Sequence, residues 1–333
     1  MNPQCRWLNQ PADLRPPTTT ALPEISIILC TRNRAESLGR CLGHYENIRT
    51  AASWELVVVN NGSTDETATV LEHHYRRNTI PLVILSEPKT GLSNARNTGL
   101  RQARGNILCF SDDDCYPDPE FVDAWLNAFR DPTIDFGGGR IELFDPSDAE
   151  VTLKTDAQPF LIPPRSLISP GTLHGASLAF RRHVVEAIGW FDSDLGAGSR
   201  FKSGEDSEYV QRASEWGFSG LYTPNPLVWH HHGRKHADVP ALAVGYQIGW
   251  GAFYVNLLTR NPCIVWRGIV KDFSESQNAI FYAKLLYWRS RRWSLPRVWN
   301  VLRGAAGFSL VKVRRTRKSF KHVLPIVGKG GEY

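Results

Sequence analysis

The 333-residue chain has no CxxC pair among its six cysteines, no GxGxxG after its first apolar run and no GxxxxGK[ST] anywhere. The first absence leaves no zinc framework, and Cys30 and Cys109, set inside apolar strand-like runs, fit reduced cytoplasmic thiols. The other two exclude the usual dinucleotide and P-loop phosphate cradles. The N-terminus lacks an apolar signal segment, and with Pro3, Pro11, Pro16, Pro17 and Asp13 in it, residues 1–23 read as a flexible arm. Residues 239–259 contain no formal charge, which raises the question of a membrane span. Three glycines, two tyrosines, Pro240, Gln247 and Asn256 make that stretch a poor span. A helix resting on the main domain or at a lipid interface is expected instead.

What is present is more specific. A hydrophobic content of 42% supports one large core, or one core plus an appendage. The net charge of +6 suits nucleic acid, phosphate-rich ligands or an anionic membrane, and its distribution is uneven. Acids cluster between Asp112 and Glu150, whereas bases crowd the last fifty residues, from Arg289 to Lys321. The short apolar run Ile107–Phe110 ends in three consecutive carboxylates, Asp112, Asp113 and Asp114. Acids so placed repel one another and are costly to bury unpaired, which calls for a cation; a solvated acidic turn is the alternative.

Three more apolar runs, Glu24–Cys30, Trp54–Val59 and Leu82–Leu85, read as buried strands. Between them lie helical patterns at about 35–48, from Ser63 or Thr64 as cap through Asn78, and from the Lys89–Asn97 stretch to Ala103. Strands and helices alternating in units of about 30 residues predict a mainly parallel α/β sheet. Ligands gather at the carboxyl ends of such strands. The polar clusters Thr31–Arg34, Asn60–Asp65 and Asp112–Asp114 all lie at such ends, which strengthens the metal reading. Arg32, Arg34 and Arg96 beside a metal-holding acid group suit a diphosphate. Asn60 and Asn61 can both donate and accept, which suits a nucleobase edge or ribose hydroxyls; a tight turn is their ordinary use.

Four stretches, in order, carry a resemblance: Ile27–Arg34, Val57–Asp65, Gly91–Gly99 and Ser111–Pro119. Together they are similar to the successive motifs of family 2 glycosyltransferases with the GT-A fold, over residues 24 to about 235. The resemblance implies an inverting transferase that uses a nucleotide-diphosphate sugar and Mg2+ or Mn2+. Its DxD-type acids fall on Asp112, Asp113 and Asp114, with Asp114 the main metal ligand and Asp113 nearer the ribose and sugar. Its nucleotide-base contacts fall on Arg32, Asn61 and Arg96. Amides stand at Asn60 and Asn61, where the family often has an acid. An amide oxygen still accepts the N3–H of uracil or thymine, so a UDP- or dTDP-sugar is favoured.

The second half supplies the rest of the expected site. Residues 145–172 have no clear periodicity and read as a long loop over the donor, after flexible glycines at 137–139 and a strand. Gly204-Glu205-Asp206-Ser207-Glu208 resembles the family segment that contributes the general base; Asp206 is expected in that role, with Glu205 the near alternative and helix capping the ordinary use of one of them. In Trp229-His230-His231-His232, His230 is the best match to a histidine completing the metal shell, with His232 on the same side of an extended chain. Trp190 and Trp216 can stack on an acceptor sugar or pack in the core.

The expected organisation is an arm (1–23), a GT-A catalytic domain (24–236) and a helical, basic and aromatic extension (237–333). Within the domain, 24–120 would bind the nucleotide sugar and 121–236 the acceptor. In the extension, Ile280, Phe281, Trp288, Trp293, Trp299, Leu302 and Leu310 interleave with the bases, a pattern that fits helices on an anionic membrane. Packed helices with a solvated basic face, or a homodimer interface, are the other readings. Three functions compete. A glycosyltransferase of polysaccharide or glycoconjugate biosynthesis, acting on a glycan or lipid-linked acceptor at the cytoplasmic face of the membrane, explains both acid groups and the histidines. A nucleotidyltransferase or nucleotide-sugar hydrolase would use the same metal site without a sugar acceptor. A basic nucleic-acid- or membrane-binding protein without catalysis leaves the acids unexplained and predicts strongly salt-dependent binding. No nucleic-acid partner is expected.

Overall fold

The computed structural model describes residues 22–265 and 295–323. The expected arm, up to residue 21, and the segment holding Ile280, Phe281, Trp288 and Trp293 lie outside them. The four apolar runs form β1 (Ile25–Thr31), β2 (Trp54–Asn60), β3 (Leu82–Ser86) and β4 (Ile107–Asp112), in spatial order β3-β2-β1-β4 and all parallel. Apart from Trp54, Cys30, Asp112 and the end of β3, their residues are buried, as continuous apolar strands covered on both faces should be. Helices α1 (Ala35–Tyr45), α2 (Thr67–Arg77) and α3 (Leu92–Gln102) connect them. Leu38, Cys41, Leu42 and Tyr45 form the buried face of α1.

Two helix boundaries differ from expectation for local reasons. Helix α1 stops at Tyr45, and a tighter turn follows in which the Ile48 N–H reaches the Tyr45 carbonyl at 3.2 Å. Helix α2 starts at Thr67, because Ser63 is used elsewhere: its hydroxyl accepts the Asn33 N–H at 2.9 Å. Asp65 caps the helix start instead, accepting the Thr67 N–H at 3.1 Å.

The second half completes a nine-stranded sheet with β5 (Cys115–Pro117), β6 (Phe136–Leu143), β7 (Phe160–Ile162), β8 (Leu178–Arg181) and β9 (Gly220–His230). Strand β8 runs antiparallel between β4 and β6; β9 lies parallel to β6 and carries β5 and β7 as antiparallel partners. Gly137 and Gly138 are ladder residues and Gly139 stands at a register shift within β6, so the stretch is strand, not flexible backbone. The expected long loop contains β7, a three-residue strand that exists only by pairing with β9. Helices α4 (Phe121–Ala128), α5 (Arg182–Ile188) and α6 (Glu205–Glu215) cover this half.

Helix α7 (Val239–Arg260) rests on the main domain, where the Ser203 hydroxyl donates to the Gly245 carbonyl at 3.2 Å. It pairs with α8 (Leu295–Val323). Asn300 donates to Gln247 at 3.0 Å and Lys312 to Thr259 at 2.6 Å, both with an offset of 53 residues, so the two helices run parallel. A Cβ at Gly251 would collide with the Val301 carbonyl, and one at Gly304 with the Ile248 carbonyl, so glycine is what lets the backbones approach. Phe308, Ile248, Ala252, Leu195 and Phe201 bury the contact. Among the described residues, no helix is long and apolar enough to cross a membrane.

Candidate active site

Strand register places the polar residues. In the ladder Thr31 pairs with Asn60, and Cys30 with Asp112, so the loops after β1, β2 and β4 share one sheet edge. On the other side of β5, Cys115 faces His230, and the His231 N–H donates to the Asp114 carbonyl at 2.8 Å. A cavity of about 670 Å3 opens at this edge, a size suited to a small-molecule ligand. Five carboxylates line it: Asp112, Asp113, Asp114, Glu205 and Asp206.

The acid triad is divided among different partners. Arg34 reaches both Asp113 (3.3 Å) and Asp114 (2.7 Å), while Arg96 approaches Asp112 at 3.5 Å. Burial pushes the Asp113 carboxyl up to about 7, with Arg34 opposing and Asp114 adding to the rise. Burial acts on Asp114 in the same sense, but the His230 contact and the Arg34 charge outweigh it and hold Asp114 well below the usual carboxylate range. Neighbours in sequence are thus set apart, with Asp114 the member kept anionic.

Facing the triad is the start of α6. Asp206 is half-buried and accepts the Gly175 N–H at 3.0 Å and the Ser207 N–H at 2.6 Å. Glu205 is buried and paired with Arg96 at 3.0 Å. Burial and the neighbouring Asp206 raise the Glu205 carboxyl to about 7, against the pull of Arg96. Arg96 itself is 3% exposed, lies over the rings of Phe110 (5.7 Å) and Phe191 (5.5 Å), and abuts Gly175 so closely that a Cβ there would strike its guanidinium. It is a strut between Asp112 and Glu205, and its ion-pair partners among the described residues are those two acids rather than the Asn61 loop.

The two amides also part company. The Asn61 Nδ2 donates to the Glu87 (2.8 Å) and Lys89 (2.9 Å) carbonyls, and its Oδ1 accepts the Gly91 N–H at 2.8 Å. It lines the cavity and keeps one Oδ1 lone pair in hand. Asn60 does not line the cavity; it accepts the Ser63 N–H at 3.0 Å and closes the turn. Thr31, Arg32 and Arg34 line it as expected. The side chains of Arg32, Lys202 and Arg234, also in the lining, form no ion pair with a described residue.

His230 lines the cavity with its Nε2 3.4 Å from Asp114 Oδ1. His232 does not line it: Nδ1 accepts the Arg234 N–H at 3.0 Å, which leaves Nε2 to donate to the Ala149 carbonyl at 3.0 Å. Trp190 and Trp216 are exposed away from the cavity. The aromatic wall comes instead from α7, through Tyr246 and Trp250 beside Leu242. Their spacing of i, i+4 and i+8 inside an uncharged run was the available signal.

Residues 26–189 match the family described as "Glycosyl transferase family 2". The stretch 26–189 is a glycosyl transferase family 2 domain. The chain, a glycosyltransferase, is 27% identical to glycosyltransferase AglE of Haloferax volcanii over 243 residues, covering 73% of this chain and 77% of that one. It is 25% identical over 259 residues to a pre-mycofactocin glycosyltransferase of Mycobacterium tuberculosis, covering 74% of this chain and about half the length of that relative. Among solved structures it resembles S. aureus TarS 1–349 in complex with UDP-GlcNAc, with a TM-score of 0.58 at 18% identity over 86% of this chain and 80% of that one. It also resembles the mannosyltransferase PcManGT from Pyrobaculum calidifontis in complex with GDP-Man and Mn2+, with a TM-score of 0.54 at 20% identity over 94% and 88% of the two chains. The fold of the glycosyltransferase is thus GT-A, a central mixed sheet with flanking helices.

A divalent ion fits the donor set. Asp114 Oδ1 and His230 Nε2 are buried side by side at 3.4 Å. Neighbouring ligands on an ion with bonds of about 2.1 Å sit roughly 3 Å apart. The buried Cys115 thiol completes the group, but burial pushes it well above its ordinary range, so it stays a thiol. Carboxylate oxygen with one imidazole nitrogen then suits Mn2+ or Mg2+ better than a soft metal.

Proposed function

We propose that this glycosyltransferase moves a sugar, with inversion, from a nucleotide-diphosphate sugar to a hydroxyl of a glycan or lipid-linked acceptor. The observation that carries the reading is that two acid groups from different elements, Asp112–Asp114 at the end of β4 and Asp206 at the start of α6, line one cavity. Inversion at the anomeric carbon needs a carboxylate on the face opposite the leaving diphosphate. Asp206 suits that role better than Glu205, because Glu205 is committed to Arg96. The acceptor hydroxyl gives its proton to Asp206 as its oxygen bonds to the anomeric carbon, and the bond to the nucleoside diphosphate breaks.

Asp114, Asp112 and His230 would hold Mg2+ or Mn2+, which when bound neutralises charge on the leaving diphosphate. Arg32, Lys202 and Arg234, which have no acid partner among the described residues, suit the same diphosphate or an anionic acceptor. The spare lone pair of Asn61 favours the N3–H of uracil or thymine, and the neutral form of Asp113 can donate to a sugar or ribose oxygen. The domain division at 24–120, 121–236 and 237–333 is carried with this reading, the α7 wall of the extension included in the acceptor site.

Helix α8 turns Trp299, Leu302 and Leu310 outward, 65%, 56% and 58% exposed. That apolar face, with Arg314, Arg315, Arg317 and Lys318 following in the sequence, suits an anionic membrane carrying the acceptor. Capture by anionic but not neutral vesicles at low salt checks it. The central test is a nucleotide-release screen over UDP-, dTDP- and GDP-sugars with Mn2+. Metal-dependent release with one donor, lost in Asp114→Ala, is expected; no release with any donor would sink the proposal.

A further inference from the structure

Thr152 stands out on backbone geometry. It is β-branched, yet its φ is +57°, a region such residues rarely enter. Strain of this kind persists where the surroundings over-determine it, and it clusters at functional sites. The surroundings here are explicit. The segment 144–152 is laced to the end of β9: the Phe144 N–H donates to the His230 carbonyl at 3.0 Å, the Ala149 N–H to the Arg234 carbonyl at 2.8 Å, and the Gly233 N–H to Asp148 at 2.8 Å. The lacing delivers the Thr152 hydroxyl to the back of the His230 ring, 3.2 Å from Nδ1, inside the cavity lining.

The hydroxyl has a single proton. Its oxygen lies 2.6 Å from the Val151 carbonyl, which can only accept, so the proton points there. The hydroxyl oxygen is then an acceptor towards His230, and Nδ1 must carry the N–H. That leaves Nε2, 3.4 Å from Asp114 Oδ1, as the nitrogen for an ion, which would take the place of the proton shared between the two. A histidine that binds metal through one nitrogen characteristically donates from the other, and the partner fixes both tautomer and ring angle.

We propose that Thr152 is the positioning residue for the metal site, holding His230 so that its Nε2 lone pair meets the ion beside Asp114. The inference rests on the metal reading above. It assigns a role to the segment between β6 and β7 that differs from covering the donor: the segment reaches under the metal ligand.

The test is Mn2+ binding by the full chain without any sugar donor, followed by loss of the free Mn2+ resonance signal. Asp114→Ala serves as the control for the site. Thr152→Val keeps the branching and the shape but cannot accept, and is expected to weaken Mn2+ by about tenfold or more. Thr152→Ser keeps the hydroxyl and should stay within about threefold of the parent. Thr152→Gly relieves the positive φ, so it should melt no lower than the parent, yet it should lose Mn2+ affinity like Thr152→Val. A merely structural Thr152 predicts the opposite for that variant, undiminished affinity in a relaxed backbone. Parent-like Mn2+ affinity in both Thr152→Val and Thr152→Gly overturns the role of Thr152 and leaves the metal site standing. Failure of the parent chain to bind Mn2+ overturns the metal reading itself, and Thr152 with it.

Discussion

The side of the cavity built by β1, β2 and β4 takes its residues from the ends of neighbouring parallel strands, so the ladder that pairs Thr31 with Asn60 and Cys30 with Asp112 also positions the chemistry. The rest of the lining draws on segments far apart in sequence: Thr152, Gly175, Glu205–Ser207 and Leu242–Trp250. Side-chain contacts help hold those in place, among them Gly175 N–H to Asp206, the Thr152 hydroxyl to His230, and Arg96 to Glu205. Backbone ladders spread a perturbation over many bonds, whereas a side-chain contact is lost whole. The first side should therefore tolerate single substitutions that cripple the second, and Arg96, rooted in α3 and reaching Glu205, is where the two sides are fastened together.

The sharpest way to break this contrast is Asp206→Asn. Turnover should fall by about 10²- to 10⁴-fold while nucleotide affinity, measured by calorimetry, stays within about threefold; retained turnover would remove Asp206 from the role of base. Arg96→Ala cuts the strut and leaves Glu205 buried without its cation. A loss of about 3–5 kcal/mol in denaturant unfolding is expected, and a negligible loss would mean that the two sides stand independently. Trp250→Ala should raise the acceptor KM by up to about tenfold, the scale of one aromatic stacking contact, with the donor KM unchanged; a change confined to the donor would put the α7 wall on the wrong side. The smallest effect belongs to Asn60→Ala, which removes one turn hydrogen bond worth about 1 kcal/mol and should leave donor affinity alone. A large loss of donor affinity in that variant would return Asn60 to the site.

The same contrast governs what could be read without coordinates. Strands such as Ile25–Thr31 and Trp54–Asn60 are buried on both faces, so composition alone marks them, and parallel alternation brings their polar ends together. The acid triad followed from that. Strand β7 did not, because three residues have no periodicity and their partner β9 lies some sixty positions away. The destination of Arg96 was equally hidden: an arginine at a helix start beside a nucleotide loop suggests a base contact, and only the fold brings Glu205 to it. For the histidines, alternation put His230 and His232 on one side, but the Asp148–Gly233 lacing absorbs His232 and leaves His230 at the cavity.

The parallel pairing of α7 with α8 bears on the order in which the molecule can be completed. A chain emerging from the ribosome folds its N-terminal parts first, and β1 to β4 with the helices between them lie within the first 112 residues. At that moment Arg96 still lacks Glu205 and the residues that bury it. The apolar face of α7 around Ile248 and Ala252 waits longer, until Phe308 arrives to cover it. Tyr246 and Trp250, on the same helix, gain a fixed position only then. The half of the enzyme suited to gripping a nucleotide thus precedes, in synthesis, the wall suited to choosing an acceptor.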